Sequence, residues 1–245
     1  MLKKYSQSIL ALPSDIHDVD DVLVPGLQIE QNDRLGTWYA PFEYVNAKAR
    51  LILLGVTPGP TQMTNALRFA REALGQNLSE DALKRDVKRR ASFSGPMRKN
   101  LVRMLDGVGL HTALRISTTE AIFVHDPDLL HSTSCIRYPT FYRRGPGAPW
   151  RPYNATPAID RDAYLVHYLD TELAPELASI PDALIIPLGA SAQRAVEYLA
   201  RQDDLALTRC ILGMPHPSGA NNGRIVNEFP RVRAEIADKV KAWFA

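Results

Sequence analysis

Cysteine is nearly absent from the 245 residues, with Cys135 and Cys210 standing alone and far apart. That excludes a C-x-x-C clip, a disulfide framework and the four thiolates of an iron–sulfur cluster. The six histidines are scattered, none at the i, i+4 spacing of a helical metal pair, so no metal site is expected. No apolar run approaches the ~20 residues a membrane span needs. The stretch Met1–Leu10 is too weakly apolar for a secretory leader, and a cytoplasmic protein without a membrane partner is expected. A large excess of one charge sign is missing too: 29 Lys and Arg face 27 Asp and Glu, for a net charge of +2. Affinity for a polyanion therefore has to come from local clustering. There is no internal repeat.

What is present is ordinary for a globular chain, 45% hydrophobic and 23% charged. One domain over residues 1–245 is expected, with 1–49 as an N-terminal elaboration whose Trp38, Tyr39, Phe42 and Tyr44 pack against the body. Short apolar runs bounded by Gly, Pro or Asp at Leu51–Leu54, Ala121–Val124, Leu129–Cys135, Ala183–Leu188 and Thr208–Met214 read as buried strands. Helical periods lie between them. Met97, Leu101, Met104 and Leu105 share one face of a helix stopped by Gly107 and Gly109. Asp160 is placed to cap a helix carrying Tyr164, Leu165, Tyr168, Leu169 and Leu173, and Pro230 suits the first turn of a last helix with Val232, Ile236, Val240 and Trp243 inward. Strands alternating with helices predict an α/β fold of three layers, α/β/α, around a mostly parallel central sheet.

Two loops carry the functional signal. Gly55-Val56-Thr57-Pro58-Gly59 follows the run Leu51–Leu54, and His216-Pro217-Ser218-Gly219-Ala220-Asn221 follows Cys210–Pro215. Each puts rigid backbone and a few polar side chains at the carboxyl end of a strand, where open α/β sheets bind ligands.

A strand running into G-x-x-P-G, paired with a later strand running into H-P-S-x-x-N, resembles the uracil-DNA glycosylase superfamily. Ser92–Leu101 is similar to that superfamily's F-x-G-x-x-x-x-L segment, and Ala183–Ala192 to its apolar strand ending L-G-A. The resemblance runs from about residue 50 to 225. It implies a DNA repair enzyme that extrudes a uracil or related deaminated base from single- or double-stranded DNA and hydrolyses its N-glycosidic bond, using no metal or organic cofactor. Some branches carry an iron–sulfur cluster; two cysteines cannot hold one here. A monomer is expected.

Carried over residue by residue, the resemblance makes His216 the donor to the pyrimidine oxygen as negative charge grows on the leaving base. Phe93 stacks on the base, and Gly55, Pro58 and Gly59 line it. Ser218 and Asn221 meet phosphate, and Arg224 fills the vacated stack. Two positions depart from the pattern. Where the family has a carboxylate or amide before the proline, this chain has Val56 and Thr57, leaving water activation to Thr57, Gln62 or backbone carbonyls. Where the family places an Asn that reads the uracil edge, counting back from Cys135 gives His131.

Basic residues cluster as well. From Lys84 to Arg103 eight cations, Arg89 and Arg90 among them, face one acid, Asp86, with Phe93 inside the cluster. Tyr138–Pro157 interleaves Tyr142, Trp150 and Tyr153 with Arg143, Arg144 and Arg151 among five prolines and two glycines, and reads as an irregular surface loop. Both patterns suit a nucleic-acid strand, and both also suit a solvated helix face or packed irregular chain. A protein that binds flipped or abasic nucleotides without cutting the bond is the alternative reading. Hydrolysis of free nucleosides is a third, and it needs neither basic segment.

Overall fold

Leu51-Ile52-Leu53-Leu54 is unbroken in its hydrophobicity because both faces of this strand are covered. Ile52 and Leu54 enter one hydrophobic cluster, while Leu51 and Leu53 enter another on the opposite side. The computed structural model describes residues 1–76, 78–125 and 127–245. Its strands are β1 (Gln28–Gln31), β2 (Leu35–Trp38), β3 (Leu51–Gly55), β4 (Leu130–Ser134), β5 (Thr140–Tyr142), β6 (Arg151–Pro152) and β7 (Leu184–Pro187). Strands β4, β3 and β7 form a parallel sheet in that order, with Gly55 opposite Ser134 and Leu54 opposite Pro187. Cys210–Met214 continues the sheet beside β7 through one bridge between Ile185 and Cys210, and through Ile211 N–H donating to the Ile185 carbonyl at 2.9 Å. Four exits therefore open on the same edge: Gly55, Ser134, Leu188 and Met214.

Helices cover both faces. They are α1 (Leu2–Leu10), α2 (Pro60–Leu74), α3 (Glu80–Ala91), α4 (Pro96–Gly107), α5 (Leu110–Leu114), α6 (Ala121–Val124), α7 (Ala163–Tyr168), α8 (Ala174–Ala178), α9 (Ala190–Arg201), α10 (Asn222–Asn227) and α11 (Phe229–Phe244). The side that buries Ile52, Leu54 and Ile185 receives α1, α2, α3, α7, α8 and α9; the other receives α4, α5, α6, α10 and α11. The three-layer α/β/α arrangement follows. The helix predicted from Met97 ends at Gly107, and α11 carries Pro230 in its first turn with Ile236 and Val240 buried.

Four expectations need correction. Ala121–Val124 is a single helical turn, since a four-residue apolar run fits a buried strand and a buried turn of helix equally well. Thr208–Met214 begins in a 3-10 turn, Leu207–Arg209, and makes one bridge in place of a ladder. Asp162, not Asp160, caps α7, its Oδ1 accepting from Tyr164 N–H at 3.0 Å; the helix then widens into a π-turn, Leu169–Leu173, before α8. Lastly, the Tyr138–Pro157 stretch is not irregular throughout, and it joins the N-terminal segment in regular structure. They supply a second, antiparallel sheet of order β1-β2-β5-β6, in which Thr37 pairs with Thr140 and Trp38 packs edge-on against Phe141 and Trp150.

Candidate active site

A cleft of about 670 Å³ opens at the carboxyl edge of the parallel sheet. Its walls are the Val56–Pro60 loop, Leu188–Ser191, the His216–Asn221 loop and, from the antiparallel sheet, Pro152–Ala155. The first turns of α2 and α9 line it, so two helix N-termini direct positive partial charge inward. No Asp or Glu is among the residues lining the cleft, and its full cation is Arg224. Such a lining accepts an anion readily and offers no carboxylate base.

His216 stands on the floor of this cleft. Ser218 N–H donates to its Nδ1 at 3.3 Å, which fixes the other nitrogen, Nε2, as the one bearing the proton. Burial lowers its pKa below the ordinary imidazole value of 6.5, so the ring is neutral at neutral pH and has one N–H to give. The loop holding it is braced from several sides. Asn221 Nδ2 donates to Ser218 Oγ at 2.8 Å, and Asn100 of α4 donates to the Pro217 carbonyl at 3.0 Å. The sequence alone gives no sign of this role for Asn100, because it depends on a partner 117 positions away. Gly189 presses on the loop from below: a β carbon there would lie 2.9 Å from His216 Cβ.

Thr57 is placed for structure. Its hydroxyl donates to the Tyr138 carbonyl at 2.9 Å and accepts from Thr140 N–H at 3.0 Å, tying the exit of β3 to the antiparallel sheet. With its proton committed, it can take a hydrogen bond from water but cannot orient water by donating to it. Gln62 faces the cleft from α2, yet its Oε1 accepts from Phe93 N–H at 3.1 Å. That bond anchors the amide, and an amide is not basic at neutral pH, so neither side chain is built as a general base. Pro58 and Gly59 line the cleft. Gly59 has φ −77°, and a β carbon there would meet nothing within 4 Å, so glycine at this position leaves room for a ligand. Gly55 is buried, and a β carbon would crowd Ser134 Oγ at 3.3 Å.

Phe93 departs from expectation. Its ring is 4% exposed, not turned to the cleft, and its backbone holds φ +50°, a left-handed conformation unusual for a phenylalanine. It closes a second, smaller pocket that shares Pro58 and Gln62 with the cleft. His131 is the clearer correction. Three residues short of the sheet edge, it donates from Nε2 to Glu176 Oε1 at 2.6 Å and accepts Asn46 N–H at Nδ1, 3.3 Å away. Burial, with Lys88 adding to it, lowers its pKa to about 4. Both nitrogens are used and it lines neither the cleft nor the smaller pocket, so it is removed as a reader of the base.

The basic residues disperse. Lys84 pairs with Glu80 at 2.9 Å, Lys88 is buried, and Arg98 donates to the Ser92 carbonyl and covers the Phe123 ring. Arg90 lies 3.9 Å over Phe69 and 3.5 Å from Asp86. Arg89 is exposed but borders a shallow pocket with Asp128, away from the cleft. Arg143 donates to the carbonyls of Asp33 and Asn32 and stacks on Trp150, whereas Arg144 is exposed without a side-chain partner among the described residues. A paired prediction follows. If the expected contact with DNA is made, Arg144→Glu lowers the slope of log affinity for DNA against log salt by about 1, while Arg143→Ala leaves the slope unchanged and lowers thermal stability. Equal effects on the slope would contradict this division.

Comparison with known proteins agrees with the geometry. The chain shares 34% identity over 246 aligned residues with the uncharacterized protein YoxB of Bacillus subtilis (strain 168), an alignment covering 100% of this chain and 93% of that protein. The family model for the uracil DNA glycosylase superfamily matches residues 42–241, which takes in both edge loops, Phe93 and the helices that frame the cleft. The chain belongs to the uracil DNA glycosylase superfamily.

Proposed function

We propose that this protein is a monofunctional DNA glycosylase that hydrolyses the N-glycosidic bond of uracil, or a related deaminated base, in DNA and leaves an abasic site. The observation that carries the reading is the state of His216: neutral, held at Nδ1 by Ser218 N–H, and lining a cleft that has no acid among its lining residues. As the glycosidic bond stretches, the sugar gains positive charge and the base negative charge. A preorganised donor meeting the base oxygen stabilises that charge, typically by ~3–4 kcal/mol. Charge on the sugar makes it electrophilic enough that the attacking water needs only positioning. The lone pair left on Thr57 Oγ1 and the loop carbonyls supply that without a strong base. Phosphates flanking the extruded nucleotide meet Ser218, Asn221 and the N-termini of α2 and α9.

The acid limb of the rate follows from the same hydrogen bond. Protonating Nδ1 abolishes its role as acceptor for Ser218 N–H, and burial resists that proton. The folded state therefore takes it up less readily than the unfolded chain, and both loop order and excision fall as pH drops below the ordinary value of 6.5. A half-maximal rate at a pH above 6.5 on the acid side would contradict the assignment.

A second reading, a binder of flipped or abasic nucleotides that does not cut, is favoured by the same absence of a carboxylate from the cleft lining and by the committed hydroxyl of Thr57. Single-turnover assays on oligonucleotides bearing one uracil, followed by alkali, separate the two. Strand scission at the uracil supports hydrolysis, and tight salt-sensitive binding with no scission supports the binder.

A further inference from the structure

Between α4 and the corner where α10 meets α11 runs an open groove of about 260 Å³ that the cleft does not use. Met104, Ile225 and Phe229, all buried, form its floor, and Val226 and Pro230 stand exposed on its edge. Ile225 takes the inward place on α10, so the residue after it is left facing outward. Val226, 63% exposed, is the most exposed large apolar side chain among the described residues.

Two guanidiniums flank this apolar strip. Arg103 and Arg233 are exposed, and neither has a carboxylate within ion-pair distance among the described residues. Arg103 donates to Asn100 Oδ1 at 3.3 Å. Arg233 lays its stem beside Gly107, where a β carbon would lie 3.8 Å from Arg233 Cδ and 3.8 Å from the Phe229 ring. The acids close to them in sequence are engaged elsewhere. Asp106 accepts from Thr118 and Thr119, Glu228 lies 3.8 Å from Arg224, and Glu235 pairs with Lys239 at 2.7 Å. Apolar surface between uncompensated cations is complementary to a segment that brings its own acids and a large apolar side chain. A phosphodiester strand would use the cations and leave the apolar strip bare.

We propose that this groove docks an acidic peptide segment of another protein, with one large apolar side chain seated on Met104 and Phe229 and carboxylates meeting Arg103 and Arg233. None of these four residues lines the cleft, so DNA and partner are held at once. The two sites share their supports. Arg224, which lines the cleft, lies on α10 just before Val226, and Asn100, which braces the Pro217 carbonyl, lies on α4 just before Arg103. A partner in the groove therefore holds the protein from behind the His216 loop without reaching the cleft. The inference goes beyond the glycosylase reading and does not depend on it.

Fluorescence anisotropy tests it on the full chain with a labelled synthetic peptide, an acidic stretch ending in Leu-Phe. The expected result is saturable binding to wild type that weakens as salt rises, and none for the same peptide with lysine in place of its acids. Arg103→Glu and Arg233→Glu each lower the affinity by about tenfold or more, since like charges then face each other, and Val226→Asp lowers it as well. All three side chains are exposed, so the variants keep the wild-type melting temperature, and they keep the wild-type affinity for DNA. No saturable binding of the acidic peptide, or equal affinity in wild type and Arg233→Glu, would overturn the proposal. Loss of DNA affinity in both arginine variants would give the surface to a nucleic-acid strand. Self-association of the protein that Arg233→Glu abolishes would give it to a second copy, and either result overturns the assignment to a separate partner.

Discussion

Replacing His216 by alanine is expected to lower single-turnover excision by about 10²- to 10³-fold while DNA affinity changes little. The expectation rests on differential binding. On the proposed reading Nε2–H meets an oxygen whose charge grows only as the glycosidic bond breaks, so its loss is felt in the transition state and hardly in the bound ground state. Burial and the Ser218 N–H bond keep the ring neutral and aimed, so no reorganisation is needed when the charge appears. His216→Gln restores a donor on a more flexible stem and is expected to recover part of the rate. If both variants cut at the wild-type rate, His216 belongs to the architecture of the loop and not to the chemistry.

Gly189→Ala should be nearly as damaging, although Gly189 has no side chain to touch substrate. Its φ of +84° and ψ of 168° fall in a region essentially reserved for glycine, and occupying it with alanine costs about 1–3 kcal/mol. The new methyl would also sit 2.9 Å from His216 Cβ and 3.3 Å from His216 N. The His216 loop must move away, and a displacement approaching 1 Å at a catalytic group can cost about 10²-fold in rate. The expected signature is a fall in kcat of that order together with a melting temperature lower by a few degrees, roughly 2–4 °C per kcal/mol for a domain of this size. Gly59→Ala is the control, since its β carbon would meet no protein atom within 4 Å and stability should be unchanged. A Gly189→Ala enzyme that is less stable but fully active would disprove the link between this close approach and catalysis.

The site was legible in the sequence where its parts are local. Apolar strands running into Gly55–Gly59 and His216–Asn221 each announce an edge loop by themselves, and the parallel sheet sets both loops at one edge. What could not be read depends on distant partners. The antiparallel sheet pairs Leu35–Trp38 with Thr140–Tyr142, short segments whose register is fixed by neighbours some hundred residues away in the chain. The commitment of Thr57 to Tyr138 and Thr140 follows from that same pairing. His131 was placed by counting from Cys135, and only the structure shows Glu176 claiming one ring nitrogen and Asn46 N–H the other. The run of charge from Lys84 to Arg103 also misled, because adjacent cations on a helix point to different surroundings. Lys88 is buried, whereas Arg89 and Arg90 face outward.

The absence of a carboxylate from the cleft lining is what separates the two readings of this protein. If the transition state carries most of its charge before water attacks, a neutral histidine donor and a positioned water suffice. If instead a base were indispensable, this cleft would bind and hold an extruded nucleotide without releasing its base.

The most direct test is single-turnover cleavage of an end-labelled oligonucleotide with one uracil, single-stranded or paired with guanine or adenine, by wild type and His216→Ala in parallel. The account predicts alkali-labile scission at the uracil by wild type and a loss of about 10²-fold or more in the variant. Intact DNA after wild-type treatment, or equal scission by both proteins, would contradict it.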